Sequence, residues 1–155
     1  STDKVDAIMG FSNNDVVTFT AAGIAVRTIP LTTGTLPLVS ASLITTRTFL
    51  DASPAVAKKV ADACTAGFVA VAKDPAAAVT LATDYITTLR TDAAARAGAA
   101  TTLAATVPLW KDASGVVNPT LDAAQFAAME TFMREQGLIA VPVDPAAAMS
   151  NRYHS

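Results

Sequence analysis

An α/β fold is expected, with a short βαβ unit followed by a helix-rich segment. Two observations carry this. Apolar and β-branched runs dominate residues 5–46, whereas after Ser53 the apolar residues recur at steps of three and four. In addition, the first apolar run ends in Gly10, and the polar cluster Ser12-Asn13-Asn14-Asp15 follows one residue later. A strand that delivers amides and a carboxylate to a helix start is a common way for an α/β protein to meet a small ligand.

The elements follow in order. Residues 5–11 read as a buried strand by composition and length. Residues 14–22 form a short helix with Val16, Val17 and Phe19, stopped by Gly23. Residues 24–29 read as a second strand, which makes one βαβ unit with right-handed crossover. Residues 30–37 hold two prolines, Gly34 and three threonines, the composition of a loop or linker. Residues 38–46 read as a third strand, and residues 48–51 as one helical turn. Ser53-Pro54 then opens a helix to about residue 73, with Val56, Val60, Cys64, Phe68 and Val71 on one face.

Asp74-Pro75 repeats that start for a helix carrying Val79, Leu81, Ala82, Tyr85, Ile86 and Leu89. Thr91-Asp92 starts another that ends near Val107-Pro108. Residues 111–120 are a polar loop. Residues 121–136 form a helix with Phe126, Met129 and Met133 on one stripe, closed by Gly137. Pro142 and Pro145 keep residues 141–145 extended, and residues 146–153 are a terminal helix or tail.

Composition narrows the function classes. The chain is 52% hydrophobic, only 15% charged, and carries a formal net charge of −2. Such a chain folds rather than staying disordered, and its length suits one domain of ordinary size. The absence of a Lys/Arg-rich block argues against a nucleic-acid footprint. The single Cys64 cannot form an internal disulfide, and no Cys/His cluster supports a zinc site, so neither metal nor cofactor is expected. The strand that begins at Val5 has no earlier element to pair with, so the chain is expected to start within a fold. Residues 5–11 and 38–46 are apolar on both faces, as buried parallel strands are, which predicts association with another chain.

The order of these features resembles the C-terminal half of substrate-binding proteins of ABC importers. The nearest group is the thiamine-pyrimidine-precursor type, whose relatives handle riboflavin, alkanesulfonates and nitrate. The resemblance rests on Lys4-Val5-Asp6-Ala7 leading to Gly10 and on Asn13-Asn14-Asp15, where that group often has Asn-x-Glu. Leu43-Ile44-Thr45-Thr46-Arg47, Ser53-Pro54, Asp74-Pro75-Ala76-Ala77-Ala78 and Pro108-Leu109-Trp110 continue it. Met133-Arg134-Glu135-Gln136-Gly137-Leu138, Pro142-Val143-Asp144 and Ser150-Asn151-Arg152-Tyr153 complete it.

This resemblance implies a type II periplasmic-binding-protein-like fold of two lobes that close on a ligand. Residues 1–30 would belong to the second, smaller lobe. Residues 31–37 would be the hinge crossing, and residues 38–155 part of the first lobe with its C-terminal helices. The implied protein is an extracytoplasmic solute-binding component, periplasmic or lipid-anchored at the cell surface. It would bind a small heteroaromatic or anionic nutrient without catalysis and would work with an ABC permease. The first half of such a protein would come from a separate N-terminal part or be replaced by a second copy, and this chain would be a fragment, a processed product or one part of a split protein.

The candidate ligand residues are Phe11, Ser12, Asn13, Asp15 and Leu38. An Asn offers donor and acceptor and an Asp only acceptors, a pair suited to a pyrimidine with an exocyclic amine. The same residues equally suit a helix cap, with Ser12, Asn13 or Asn14 at the start and Asp15 at the positive end. The sequence departs from the group where Asp15 stands for Glu and Ser12 for a stacking aromatic. Enzymes of pyrimidine-precursor synthesis share the wider fold and use His and Cys near the ligand. Here only Cys64 and His154 are available, on an apolar helix face and beside the C-terminus, which argues against catalysis. A non-catalytic interaction domain is a further alternative. Trp110 is expected to anchor packing, and Arg27 and Arg47 to be solvated.

Overall fold

A computed structural model describes residues 5–31, 38–39 and 41–153. The described chain is mostly helical. A π-helical turn, Ser12–Val16, runs into α1, Val17–Ala21, and Gly23 ends it with φ of 73°. Then come α2, Arg47–Ala52; α3, Pro54–Lys73; α4, Pro75–Tyr85; α5, Thr87–Thr91; and α6, Ala93–Thr106. A 3-10 turn, Val107–Trp110, extends α6, and α7, Ala123–Glu135, and α8, Pro145–Ala148, complete the order.

Short side chains set these boundaries. The Thr46 hydroxyl accepts from Phe49 N at 3.1 Å and opens α2. Asp74, Asp92, Asp122 and Asp144 cap α4, α6, α7 and α8, each carboxylate accepting backbone N–H groups of the first turn. Those donors have no partner inside the helix, so each aspartate supplies what the helix lacks. The helix expected to run on from Asp74 is interrupted. Ile86 leaves the helical region with φ −114° and ψ 106°, and α5 restarts after it.

The chain divides into two compact units. The first comprises residues 1–29 and 67–118. Within it α6 packs against α4, α5, the π-helical turn, α1 and the 3-10 turn. Val107, 7% exposed, is the one buried residue among those described. The Phe68 and Trp110 rings meet edge to face, with centroids 4.7 Å apart. Beyond Trp110, an isolated antiparallel bridge joins Lys111 to Val117 around the turn that holds Asp112.

The second unit comprises residues 30–66 and 119–155. Here α7 packs against α8. The Asn151 side chain brackets Leu121, accepting from its N–H at 2.9 Å and donating to its carbonyl at 2.8 Å. Glu130 pairs with Arg134 and accepts from Val143 N, which fixes the turn after α7. Arg47 is exposed, as expected, and donates to the Ala147 carbonyl, which joins α2 to α8. The stripe Phe126, Met129 and Met133 is half-buried, as its helical spacing predicts.

The strands expected at residues 5–11, 24–29 and 38–46 are corrected: no strand forms among the described residues. The physical reason is pairing. A β-branched, apolar segment becomes a strand only when a neighbour takes its backbone N–H and C=O groups. Residues 5–10 and 25–29 make no backbone hydrogen bond among the described residues. The βαβ unit expected over residues 5–29 is therefore present here only as its helix. The hinge crossing expected at residues 31–37 lies outside the described residues except for Leu31, and His154 lies outside them as well.

Candidate functional site

The helix start at residues 10–15 is built by reciprocal bonds. Phe11 is extended, with φ −99° and ψ 123°, and its carbonyl accepts from Asn14 N at 3.0 Å and from Asp15 N at 2.8 Å. In return Asp15 Oδ2 accepts from Phe11 N at 2.6 Å. The carboxylate thus folds back on the residue before the helix, as the acid of a capping box does. It lies directly over Gly10. A Cβ there would sit 2.8 Å from Asp15 Cγ and collide with Oδ2. A side chain at Gly10 would therefore displace the Asp15 carboxylate from its present place.

Asn13 turns the other way. Its Nδ2 donates to Thr106 Oγ1 at 2.9 Å. The Thr106 hydroxyl spends its own proton on the Thr102 carbonyl at 2.7 Å, so its oxygen is left to accept. That relay fixes which end of the Asn13 amide faces Thr106. Asn13 Oδ1 and one of its N–H groups take no further hydrogen bond among the described residues. Asn13 is half-buried, whereas Ser12 is exposed and Phe11 is 75% exposed.

Thr106 also lines an open groove of about 420 Å³ together with Val71, Val79, Leu103 and Trp110. Its walls are almost wholly apolar, with the Thr102 and Thr106 hydroxyls as polar points. The sequence offered a faint signal for this groove: a lone tryptophan after Pro-Leu and threonines four apart in an alanine-rich helix.

Leu38 belongs to the second unit, where it is 41% exposed and its carbonyl accepts from Gln125 Nε2 at 2.8 Å. Phe11, Ser12, Asn13 and Asp15 are thus gathered on one helix start, and Leu38 is described apart from them. Cys64 is a half-buried free thiol on α3. Among the described residues no group of three or more His, Cys, Asp or Glu could hold a metal ion. None of their helices is long and apolar enough to cross a membrane.

The family described as NMT1/THI5-like matches residues 1–78, half of the chain. The chain belongs to that family. Its members are mostly substrate-binding proteins, typically extracytoplasmic, although THI5 itself is an enzyme-like member. No curated protein and no solved structure matches the chain.

Proposed function

We propose that this chain is part of the solute-binding component of an ABC importer and contributes Phe11, Ser12, Asn13, Asp15 and Leu38 to the ligand site. The solute is a small heteroaromatic or anionic nutrient resembling the pyrimidine precursor of thiamine, taken up outside the cytoplasm. In this reading residues 1–30 belong to a second lobe, residues 31–37 cross over and residues 38–155 belong to the first lobe of a two-lobed α/β protein. Its partners are an ABC permease and either the N-terminal half of the same protein or a second copy.

The observation that carries the reading is Asn13. Thr106 orients its amide and leaves a carbonyl and one N–H uncommitted, the donor–acceptor pair that an aminopyrimidine edge requires. Membership in a family composed mostly of substrate-binding proteins supports it. Asp15 acts mainly by holding the helix start, since its carboxylate already accepts from Phe11 N.

The test is Asn13→Ala in the full-length protein. An uncompensated polar group in a binding site costs about 1–3 kcal/mol, so affinity for an aminopyrimidine should fall about ten- to a hundredfold. Loss of the Thr106 bond lowers stability as well, by about 1 kcal/mol. A lowered melting temperature with unchanged affinity would remove Asn13 from the site.

A further inference from the structure

We propose that Thr106 is a positioning residue for Asn13 and that, through it, the site selects solutes that donate an N–H over solutes that carry acceptors only. The inference rests on the solute-binding reading above and narrows its ligand class to donors such as an aminopyrimidine.

Three residues of the first unit form the relay. Asn13 stands on the π-helical turn, and Thr102 and Thr106 stand four residues apart on α6, which packs against that turn. Thr106 Oγ1 donates to the Thr102 carbonyl at 2.7 Å. A hydroxyl has a single proton, so toward Asn13 this oxygen can only accept. The amide meets it with Nδ2, at 2.9 Å. A flipped amide would set Asn13 Oδ1 against the Thr106 oxygen, acceptor on acceptor, unless Thr106 released the Thr102 carbonyl. Either outcome forfeits one hydrogen bond, which biases the amide toward the observed orientation by about tenfold.

The orientation decides what the solute must offer. With Nδ2 turned to Thr106, Oδ1 accepts no hydrogen bond among the described residues and one N–H stays uncommitted. An amine beside a ring nitrogen gives a donor to Oδ1 and an acceptor to that N–H. Nitrate and sulfonate groups present acceptors only and would leave Oδ1 unpaired, which is costly in a half-buried place. Charge acts in the same direction. Asp15 is the acidic residue of this turn, and among the described residues no Lys or Arg hydrogen-bonds to it or to Asn13.

Titration calorimetry on the full-length protein reads the selectivity with two probes: cytosine, which carries the amine, and uracil, which carries an oxo group in its place. The unaltered protein should bind cytosine about tenfold more tightly than uracil. Thr106→Val keeps the shape of the side chain but removes the acceptor, and it should erase the preference. Thr106→Ala should do the same, and Thr106→Ser should keep the preference. A purely structural role for Thr106 would weaken both bases alike. Side-chain amide relaxation followed by NMR, with no base present, supplies a second reading. Asn13 should be as ordered as its own backbone in the unaltered protein and in Thr106→Ser, and mobile in Thr106→Val. Equal affinity for the two bases in the unaltered protein, a preference that survives Thr106→Val, or an Asn13 amide that stays ordered in that variant overturns the inference and leaves solute binding standing. Binding of neither base removes the pyrimidine reading itself, and this inference with it.

Discussion

Gly10 and Asp15 form a local unit whose two halves are testable together. Adding a Cβ at Gly10 forces the Asp15 carboxylate to move and breaks its bond to Phe11 N. Gly10→Ala should therefore destabilise the helix start by about 1 kcal/mol, the usual worth of a cap. In an Asp15→Ala background the same change should cost much less, because the collision is gone. Thermal melts of the two single variants and the double variant check this, and additive losses would contradict it.

Asp112 supplies a second test at the same scale. Its carboxylate accepts from the Ser114 hydroxyl at 2.6 Å and from the backbone N–H groups of Ser114 and Val116. The Ser114 hydroxyl, followed by the Val116 amide, holds its pKa below the ordinary carboxylate value. A depressed folded pKa stabilises the turn above the unfolded value, about pH 4, and that contribution is lost as pH falls through the folded pKa. A carboxyl titration followed by NMR should place the Asp112 midpoint below those of free aspartates. Ser114→Ala should move it upward.

At the scale of elements, the helices were legible and the strands were not. Asp74-Pro75, Asp92, Asp122 and Asp144 each mark a helix start from sequence, because a cap is a bond between residues two or three apart. The end at Gly137 was legible for the same reason, a local φ of 68° that favours glycine. The break at Ile86 was missed: the apolar spacing runs through it from Val79 to Leu89, and no proline or glycine marks it.

Residues 5–11 and 24–29 carry strand composition, but composition cannot supply the partner that turns a segment into a strand. The Asn13–Thr106 bond, across 93 positions, was out of reach of a local reading, whereas the polar cluster that contains Asn13 was visible at once. Asp122 gives the element-scale prediction. Asp122→Ala should lower stability by about 1 kcal/mol by leaving Ala124 N and Gln125 N without their carboxylate. Asp122→Asn should restore most of it. Denaturant midpoints of the two variants decide the matter.

At the scale of the whole molecule, apolar residues stand largely uncovered. Ile44 is 93% exposed and Met9 88%, and on α3 Val56, Val60 and Phe68 remain between 45% and 49% exposed. Apolar side chains of this size are normally the most buried in a folded protein. Residues 5–10 and 25–29 add further apolar exposure, and their backbone makes no hydrogen bond among the described residues.

The proposed function requires reversible binding of a small solute without turnover. Isothermal titration calorimetry on the protein purified from its source cells tests it most directly, with an aminopyrimidine, riboflavin, an alkanesulfonate and nitrate titrated in turn. Saturable one-to-one binding of one of these solutes is expected, with the solute recovered chemically unchanged and affinity weakened about ten- to a hundredfold by Asn13→Ala, as one lost hydrogen bond implies. Absence of binding to all four, or conversion of a pyridoxal-type substrate by the same preparation, would contradict it.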